Sequence, residues 1–368
     1  MDRYLRHSLI DWFPQERVQN CRIAIVGCGA IGNEVAKNLA LLGIGNIDLF
    51  DYDNIEIHNL TKSVLFREED VGSMKAEIAA VRLRELNPDI SVTAHHGDFW
   101  DTLSLLQMNI YSSIIGCVDN FEARVRLNFL CRATCSNFID TGIDSKFGQV
   151  SIFPFKHNNS ASCYECSLPD SVYARMQERY SCGWLRNLAF IERKIPTTVI
   201  TASLAGSLAA SKALQLIVDE KPSNSLRLFA NSFTGKTVIT EIEKNNQCPC
   251  CSSLMKTISI TSKNPSVDIV VSNFPNKNQI ISTSEPILIS MRCVQCNLGN
   301  DAKIIFERAE KYDSSLEICP RCSCESIALD IRDRFSISEL KEHFSGRNLP
   351  VKFIRRDSVD STMIIEME

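Results

Sequence analysis

Apolar and polar positions along the chain change period several times, and each change marks an element. Residues 23–26, IAIV, form a continuous apolar run that breaks at Gly27; a helical repeat follows, and a second run, IDLF, ends on Asp51 and Asp53. Strand, helix and strand in that order predict a βαβ unit. Ile78, Ala79, Val81, Leu83 and Leu86 then fall at helical spacing, Pro88 closes that helix, and residues 90–94 alternate as a strand. The alternation continues. SSIIGCVDN predicts a buried strand ending on Asp119, FEARVRLNFLCRATC a helix, NFIDTGI a strand and GQVSIFPF a further strand of antiparallel character. Residues 196–219 predict a long helix opened by Pro196, and RLFANSFTGKTVITEIEK predicts a hairpin.

This pattern gives an α/β fold class, a doubly wound Rossmann-like sheet with a late antiparallel edge. Beyond Cys251 the composition shifts. Residues 256–285 are rich in Ser, Thr and Asn around the run VDIVV, which places a linker or domain start there. Residues 286–368 supply EPILISMRC, AKIIFERA, SIALDIR, the helix SISELKEHF and the strands LPVKFIRR and STMIIEME, a small α+β C-terminal domain around a metal ribbon.

Length and charge narrow the classes. A chain of 368 residues, 44% hydrophobic, can bury one large domain and a smaller one. A formal net charge of -4 offers no overall basic surface, so nucleic acid is not the expected partner. The start, MDRYLRHSLIDWF, carries charges where a signal peptide has its apolar core. No apolar run approaches the roughly 20 residues that span a bilayer. A cytoplasmic protein without a membrane partner is expected. In a reducing compartment its sixteen cysteines are metal ligands, core residues or nucleophiles before they are disulfides.

The turn at Gly27, Gly29 and Gly32 reads G-x-G-x-x-G, where glycine permits positive φ and lets backbone approach a phosphate at a helix N-terminus. Asp51 stands where an acid takes ribose hydroxyls. Downstream, Asn59, Lys62 and Lys75 lie on a loop and a helix start, and Asp119 lies at the carboxyl end of a strand, where ligands of open α/β sheets gather. Lysines and an aspartate suit a polyphosphate with Mg2+; hydride transfer has no use for them, which disfavours a dehydrogenase. Each also has a purely structural use, the lysines as solvated surface and Asp119 as the cap of a helix starting at Asn120 or Phe121.

Cys163 and Cys166 form one C-x-x-C pair and Cys248 and Cys251 another, the ligand set of a closed tetrahedral zinc site, with Cys250 able to replace Cys251. Cys293 and Cys296, with Cys319 and Cys322, repeat that spacing as a zinc ribbon, where Cys324 competes as a ligand. Two structural Zn2+ ions are expected.

RYLRHSLIDWF, VGCGAIG, LFDYDNIEIHNLTKS, VGSMKAE, LNPDI and GCVDNFEARVRLN follow, in order, the motifs of the ThiF/MoeB/HesA superfamily. These are adenylyltransferases related to ubiquitin-activating enzymes. The resemblance covers about residues 1–251 and makes 1–255 an ATP-binding adenylation domain. It implies activation of the C-terminal carboxylate, normally on a Gly-Gly tail, of a ubiquitin-like β-grasp protein. By resemblance Gly27, Gly29 and Gly32 face phosphate, Asp51 the ribose, and Asn59, Lys62 and Lys75 the phosphates; Asp119 holds Mg2+. Arg6 matches an arginine that enters the active site of a second protomer, which implies a homodimer. Lys62 departs from the family's usual arginine and loses its two-pronged grip. The first cysteine set matches the family's zinc.

Cys182, in ERYSCGWLRNLAFIERK, resembles a crossover-loop cysteine that takes the carrier as a thioester, and Arg179, Arg186, Arg193 or Lys194 would lower its pKa. Cys28, Cys117, Cys131 and Cys135 suit that role less, the last two sharing a helix face. Transfer to a conjugating enzyme follows from the leading reading, with the C-terminal domain binding substrate or that enzyme. The alternatives are activation of a sulfur-carrier protein of molybdopterin or thiamine type, and a non-catalytic nucleotide-binding module.

Overall fold

The first apolar run forms β1 (Arg22–Val26), hydrogen-bonded in parallel to β2 (Asn46–Asp51) on one side and β4 (Ser113–Gly116) on the other. A strand with neighbours on both sides and helices on both faces has little room for polar side chains, so Ile23–Val26 are buried throughout. In the computed structural model the described residues are 3–173, 197–218, 222–253, 257–262, 266–274, 279–295, 303–311, 319, 322–323, 327–357 and 362–367. Two compact units emerge. One comprises the described residues of Met1–Leu168 and Lys194–Ser252, the other those of Pro169–Arg193 and Ser253–Glu368.

The first unit is built on an eight-stranded sheet in the order β3-β2-β1-β4-β5-β6-β7-β8, with β3 (Ser91–His96), β5 (Phe138–Ile143), β6 (Phe147–Phe153), β7 (Leu226–Asn231) and β8 (Thr237–Glu241). β1–β5 pair in parallel, and β5–β8 pair antiparallel. The mixed α/β sheet matches the pattern of the sequence. Winding runs outward in both directions from β1, so the turns after β1 and β4 diverge and leave a crevice at their carboxyl ends.

The helices of this unit begin with α1 (Gln15–Gln19), α2 (Ala30–Leu42) and α3 (Lys75–Leu86). The short α4 (Phe99–Thr102) and α5 (Leu105–Met108) follow. The longer α6 (Phe121–Ala133) and α7 (Val199–Ile217) come next, and α8 (Pro249–Ser253) closes the set. Thr198 caps α7, accepting from the N–H of Thr201 in a capping box, so the described helix begins after the Pro196 expected to open it. By length and composition α7, at 19 residues, is long and apolar enough to cross a membrane, a run the sequence reading passed over because alanines and serines dilute it. Half of its apolar window is buried within the protein. Its Ala205, Ala209, Ala210 and Ala213 join the core with Val35 and Leu39 of α2. Gly206 sets the approach of the two helices: a methyl there would lie 2.4 Å from Cβ of Glu34.

α6 ends sooner than its apolar pattern suggests. Thr134 is its C-cap and Cys135 takes φ 52°, so Cys135 does not share a helix face with the fully buried Cys131.

The second unit holds a six-stranded sheet. β9 (Thr257–Ser262), β10 (Ile280–Cys293), β11 (Lys303–Arg308), β12 (Ile327–Ser336), β13 (Phe353–Asp357) and β14 (Thr362–Met367) run β11-β10-β13-β14-β9, with β12 also on β10. α9 (Val267–Ser272) and α10 (Ile337–Phe344) cover it, and Val267, Val270, Ile337, Leu340 and Phe344 pack with Ile281, Ile354 and Ile365. Residues 256–285, read as a linker or domain start, supply β9, α9 and the first part of β10.

Candidate functional site

The three glycines after β1 do three different things. Gly27 takes φ +96°, donates its N–H to Phe50 O at 2.8 Å, and leaves no room for a methyl, which would sit 2.6 Å from Cys117 O. Gly32 packs so closely that a Cβ would stand 1.9 Å from Gly27 O. Gly29, the N-cap of α2, has an ordinary φ of -74°, and beyond its own chain neighbours no described atom lies within 4 Å of where a Cβ would be. Neither backbone conformation nor packing requires glycine at position 29. The open space lies at a helix N-terminus, where N–H groups receive an anion.

Asp51 closes this turn. Its Oδ2 accepts the N–H of Cys28 at 2.6 Å and its Oδ1 that of Asp53 at 2.8 Å. Burial pushes the Asp51 carboxyl above the ordinary carboxylate range, and the two N–H groups and nearby Lys75 oppose the rise. Lys75, the buried first residue of α3, holds Asp53 Oδ2 at 2.6 Å. Asp119 is exposed after β4, and Asn120 rather than Asp119 caps α6, its Oδ1 accepting from Ala123 at 2.8 Å. That leaves the Asp119 carboxylate outside the cap. The Tyr52 phenol is raised by desolvation and then by Asp53, Asp119, Asp98 and Asp51, which gathers these acids around one ring.

The remaining expected groups are more dispersed. Asn59 is nearly buried and spends its Oδ1 on the N–H of Glu56 at 2.9 Å, in the 3-10 turn Ile57–Thr61. Lys62, which follows that turn, donates to Thr197 Oγ1 at 3.3 Å, just before α7. Arg6 is exposed in an N-terminal segment that also exposes Leu5, Leu9 and Trp12.

Sequence reading assigned no role to a set of buried polar residues that support the site. Asn33 on α2 donates to Cys28 O at 2.7 Å and Gly29 O at 3.0 Å and accepts from Leu65 N at 2.9 Å, fixing the glycine turn to the loop beyond. Arg124 on α6 donates to Asp140 Oδ1 at 2.5 Å, Thr141 O at 2.6 Å and Val118 O at 2.7 Å. Asp140 is wholly buried, which raises its pKa, and Arg124 opposes that rise. One turn on, Asn128 accepts from Tyr164 N at 3.0 Å and donates to Glu165 Oε1 at 3.0 Å. Arg124 and Asn128 stand four apart after Asp119, a spacing that marks one helix face. On an isolated sequence, polar residues on that face read as solvent-facing.

Cys163, Cys166, Cys248 and Cys251 are all buried, and their sulfurs lie within 4.8 Å of one another. Sγ–Sγ distances are 3.6 Å for Cys163–Cys248, 3.6 Å for Cys166–Cys251 and 3.9 Å for Cys163–Cys166. Four thiolates at about 2.3 Å from a tetrahedral zinc stand about 3.8 Å apart, so the donor set and its spacing fit that ion. Cys250 is buried beside the set. In the second unit Cys293, Cys319 and Cys322 cluster within 4.8 Å, with Cys293–Cys322 at 3.6 Å. Cys296 and Cys324 lie outside the described residues, as do Cys182, Arg179, Arg186, Arg193 and Lys194. Desolvation pushes the thiols of Cys28 and Cys131 well up and that of Cys117 to about 12, which disfavours all three as nucleophiles.

A family model described as ThiF family matches residues 1–250. Over 202 residues the chain is 31% identical to ubiquitin-like modifier-activating enzyme 5 of Drosophila grimshawi, covering 51% of this chain and 49% of that protein. Over 257 residues it is 28% identical to the sulfur carrier protein adenylyltransferase of Thermus thermophilus, covering 68% of this chain and 90% of that one. The chain spans between 22% and 59% of the first modifier-activating relatives it matches. A crystal structure of E. coli MccB with ATP superposes with a TM-score of 0.55 at 25% identity, covering 68% of this chain and 73% of that one.

The glycine geometry makes a first prediction. Gly29→Ala should leave stability within about 0.5 kcal/mol of the parent, because the methyl meets open space. Gly32→Ala should cost on the order of 1–3 kcal/mol through overpacking against Gly27 O. Urea unfolding of both variants checks this, and equal losses would contradict it.

Proposed function

The chain belongs to the ThiF family, and from that premise we propose that it is an ATP-dependent adenylyltransferase activating the C-terminal carboxylate of a ubiquitin-like protein. The observation that carries the reading is the opening at Gly29, flanked by Asp51, the Lys75–Asp53 pair and a carboxylate, Asp119, that caps nothing. In the reaction a carboxylate oxygen of the carrier bonds to the α-phosphorus of ATP. The bond from that phosphorus to its bridging oxygen breaks, and pyrophosphate leaves with the electron pair. Lys75 carries positive charge to the phosphates, and Asp51 retains acceptor capacity for the ribose. Lys62 and the amide of Asn59 would donate to the phosphates once the nucleotide is bound. Asp119 is the residue that would hold Mg2+, which would offset charge developing on the departing pyrophosphate.

Each active unit is a homodimer in which Arg6 enters the site of a second copy, and the exposed Leu5, Leu9 and Trp12 around it give the contact its apolar area. Cys163, Cys166, Cys248 and Cys251 hold one structural zinc. Cys293, Cys319 and Cys322 hold another, with Cys296 from the same C-x-x-C pair. The second unit serves binding of the carrier or of a conjugating enzyme. A second reading, supply of an adenylate for sulfur transfer, is favoured by the match to 90% of the Thermus thermophilus sulfur carrier protein adenylyltransferase. The two share every step to the adenylate and part at the product, a thiocarboxylate or an isopeptide conjugate.

With carrier, ATP and Mg2+, the protein should exchange labelled pyrophosphate into ATP. Asp119→Ala should lower that rate on the order of 100-fold or more, the scale of losing a charge-stabilising group. Mixing inactive Arg6→Ala and Asp119→Ala chains should restore part of it, since one site of the mixed dimer is intact; no recovery after confirmed subunit exchange would remove Arg6 from the partner's site. Metal analysis should read two zinc ions per chain. Non-reducing electrophoresis after incubation with carrier and ATP should reveal a thiol-sensitive adduct that Cys182→Ala eliminates. Full downstream transfer by Cys182→Ala would exclude the thioester.

A further inference from the structure

One face of α6 touches both the expected nucleotide site and the four-cysteine cluster. At its N-terminus, Arg124 donates 2.7 Å to the carbonyl of Val118, the residue before Asp119. The same guanidinium neutralises Asp140, which is wholly buried and whose Oδ2 has no hydrogen-bond partner among the described residues. Arg124 is therefore not available to swing toward a phosphate: leaving would strand a buried carboxylate, a strongly unfavourable state. Its role is to fix where the β4 turn ends.

One turn further, Asn128 is wholly buried and grips the segment between two of the cysteines. It accepts from Tyr164 N and donates to Glu165 Oε1, and Tyr164 and Glu165 are the two residues enclosed by Cys163 and Cys166. The knuckle is closed on itself by Cys163 N–H to Cys166 Sγ at 3.3 Å. Its mates, Cys248 and Cys251, come from a segment 85 residues further along the chain. A metal that joins the two segments thus fixes the peptide that Asn128 holds. Asn128 and Arg124 lie on one rigid helix, and Arg124 holds the backbone that presents Asp119.

We propose that metal in the four-cysteine site and Mg-nucleotide at the glycine loop bind cooperatively through α6, with Asn128 and Arg124 as positioning residues. The inference rests on the nucleotide reading above. Because coupling between two binding sites is reciprocal, it is readable from either end: nucleotide must retain the metal by the factor by which the metal improves nucleotide affinity.

The experiment measures zinc affinity by equilibrium competition with a chelating indicator on the full chain carrying Cys322→Ser, so that the signal comes from the four-cysteine site. The competition is run with and without Mg2+ and α,β-methylene ATP, whose α–β bridge cannot be cleaved. Saturating Mg-nucleotide should tighten zinc binding about fivefold or more. Calorimetry on zinc-depleted protein should read nucleotide affinity weakened by the same factor. Asn128→Ala should lose that tightening while still binding nucleotide. Should that variant fail to fold, Glu165→Ala takes its place, with Glu165→Gln, which keeps an acceptor for Asn128 Nδ2, expected to restore the tightening. Equal zinc affinity with and without saturating nucleotide, or undiminished nucleotide affinity in zinc-depleted protein, would overturn the coupling and leave the nucleotide site standing. No nucleotide binding by the zinc-loaded chain would overturn the reading of the site, and the coupling with it.

Discussion

The ion pair of Asp140 and Arg124 is the interaction around which the rest of the site is arranged. A carboxylate with no solvent contact needs a partner, and the only cation hydrogen-bonded to it among the described residues comes from α6. Having been drawn to Asp140, the same fork also engages Thr141 O on β5 and Val118 O after β4. The ends of two adjacent strands are thereby fixed to one helix. The carbonyl of Cys117, one residue earlier, then becomes the wall that only a glycine at position 27 can meet. Electrostatics in the interior of the sheet decides the steric rule at its rim.

Much of this was legible in the sequence, and the exceptions share a cause. The period of apolar residues gave the strands and helices of the large sheet, because a buried strand and an amphipathic helix cannot be written with the same spacing. The first two cysteine pairs, Cys163 with Cys166 and Cys248 with Cys251, were equally plain, since C-x-x-C is a geometry as well as a spelling. What stayed hidden was polar and buried. Asn33 through Leu65, Asn128 through Tyr164 and Glu165, and Asp140 through Arg124 act on partners well removed in the chain, and a side chain whose value lies in such a partner leaves no local period. The end of α6 was missed because its apolar pattern runs past Thr134 while the backbone turns left-handed at Cys135. The start of α7 depends on the hydroxyl pair Thr198 and Thr201, a signal weaker on the page than Pro196.

The three glycines show how one motif divides its labour. Gly27 and Gly32 answer to atoms of the chain itself, and replacing either is a question of packing. Gly29 meets no such atom, so packing does not account for its identity. A repeated letter in a motif can thus separate into residues whose identity packing requires and residues whose identity it does not, and the contrast is visible only when the surrounding backbone is known.

The parallel pair of β9 and β14 has a bearing on how the second unit comes into being. Thr257 lies opposite Thr362, 105 residues later, and β14 is an interior strand held between β13 and β9. Among the described residues β14 is the strand partner of β9, so that pairing must await the ribosome's delivery of β14 and is a late, long-range event. The eight-stranded sheet needs nothing beyond Glu241 to complete its pairing and can form while the remainder is still being made. Within the waiting segment, Cys293 and Cys322 are only 29 residues apart. An ion captured there would gather β11 and β12 about β10 first, giving the nascent chain a local nucleus before its most distant strands meet.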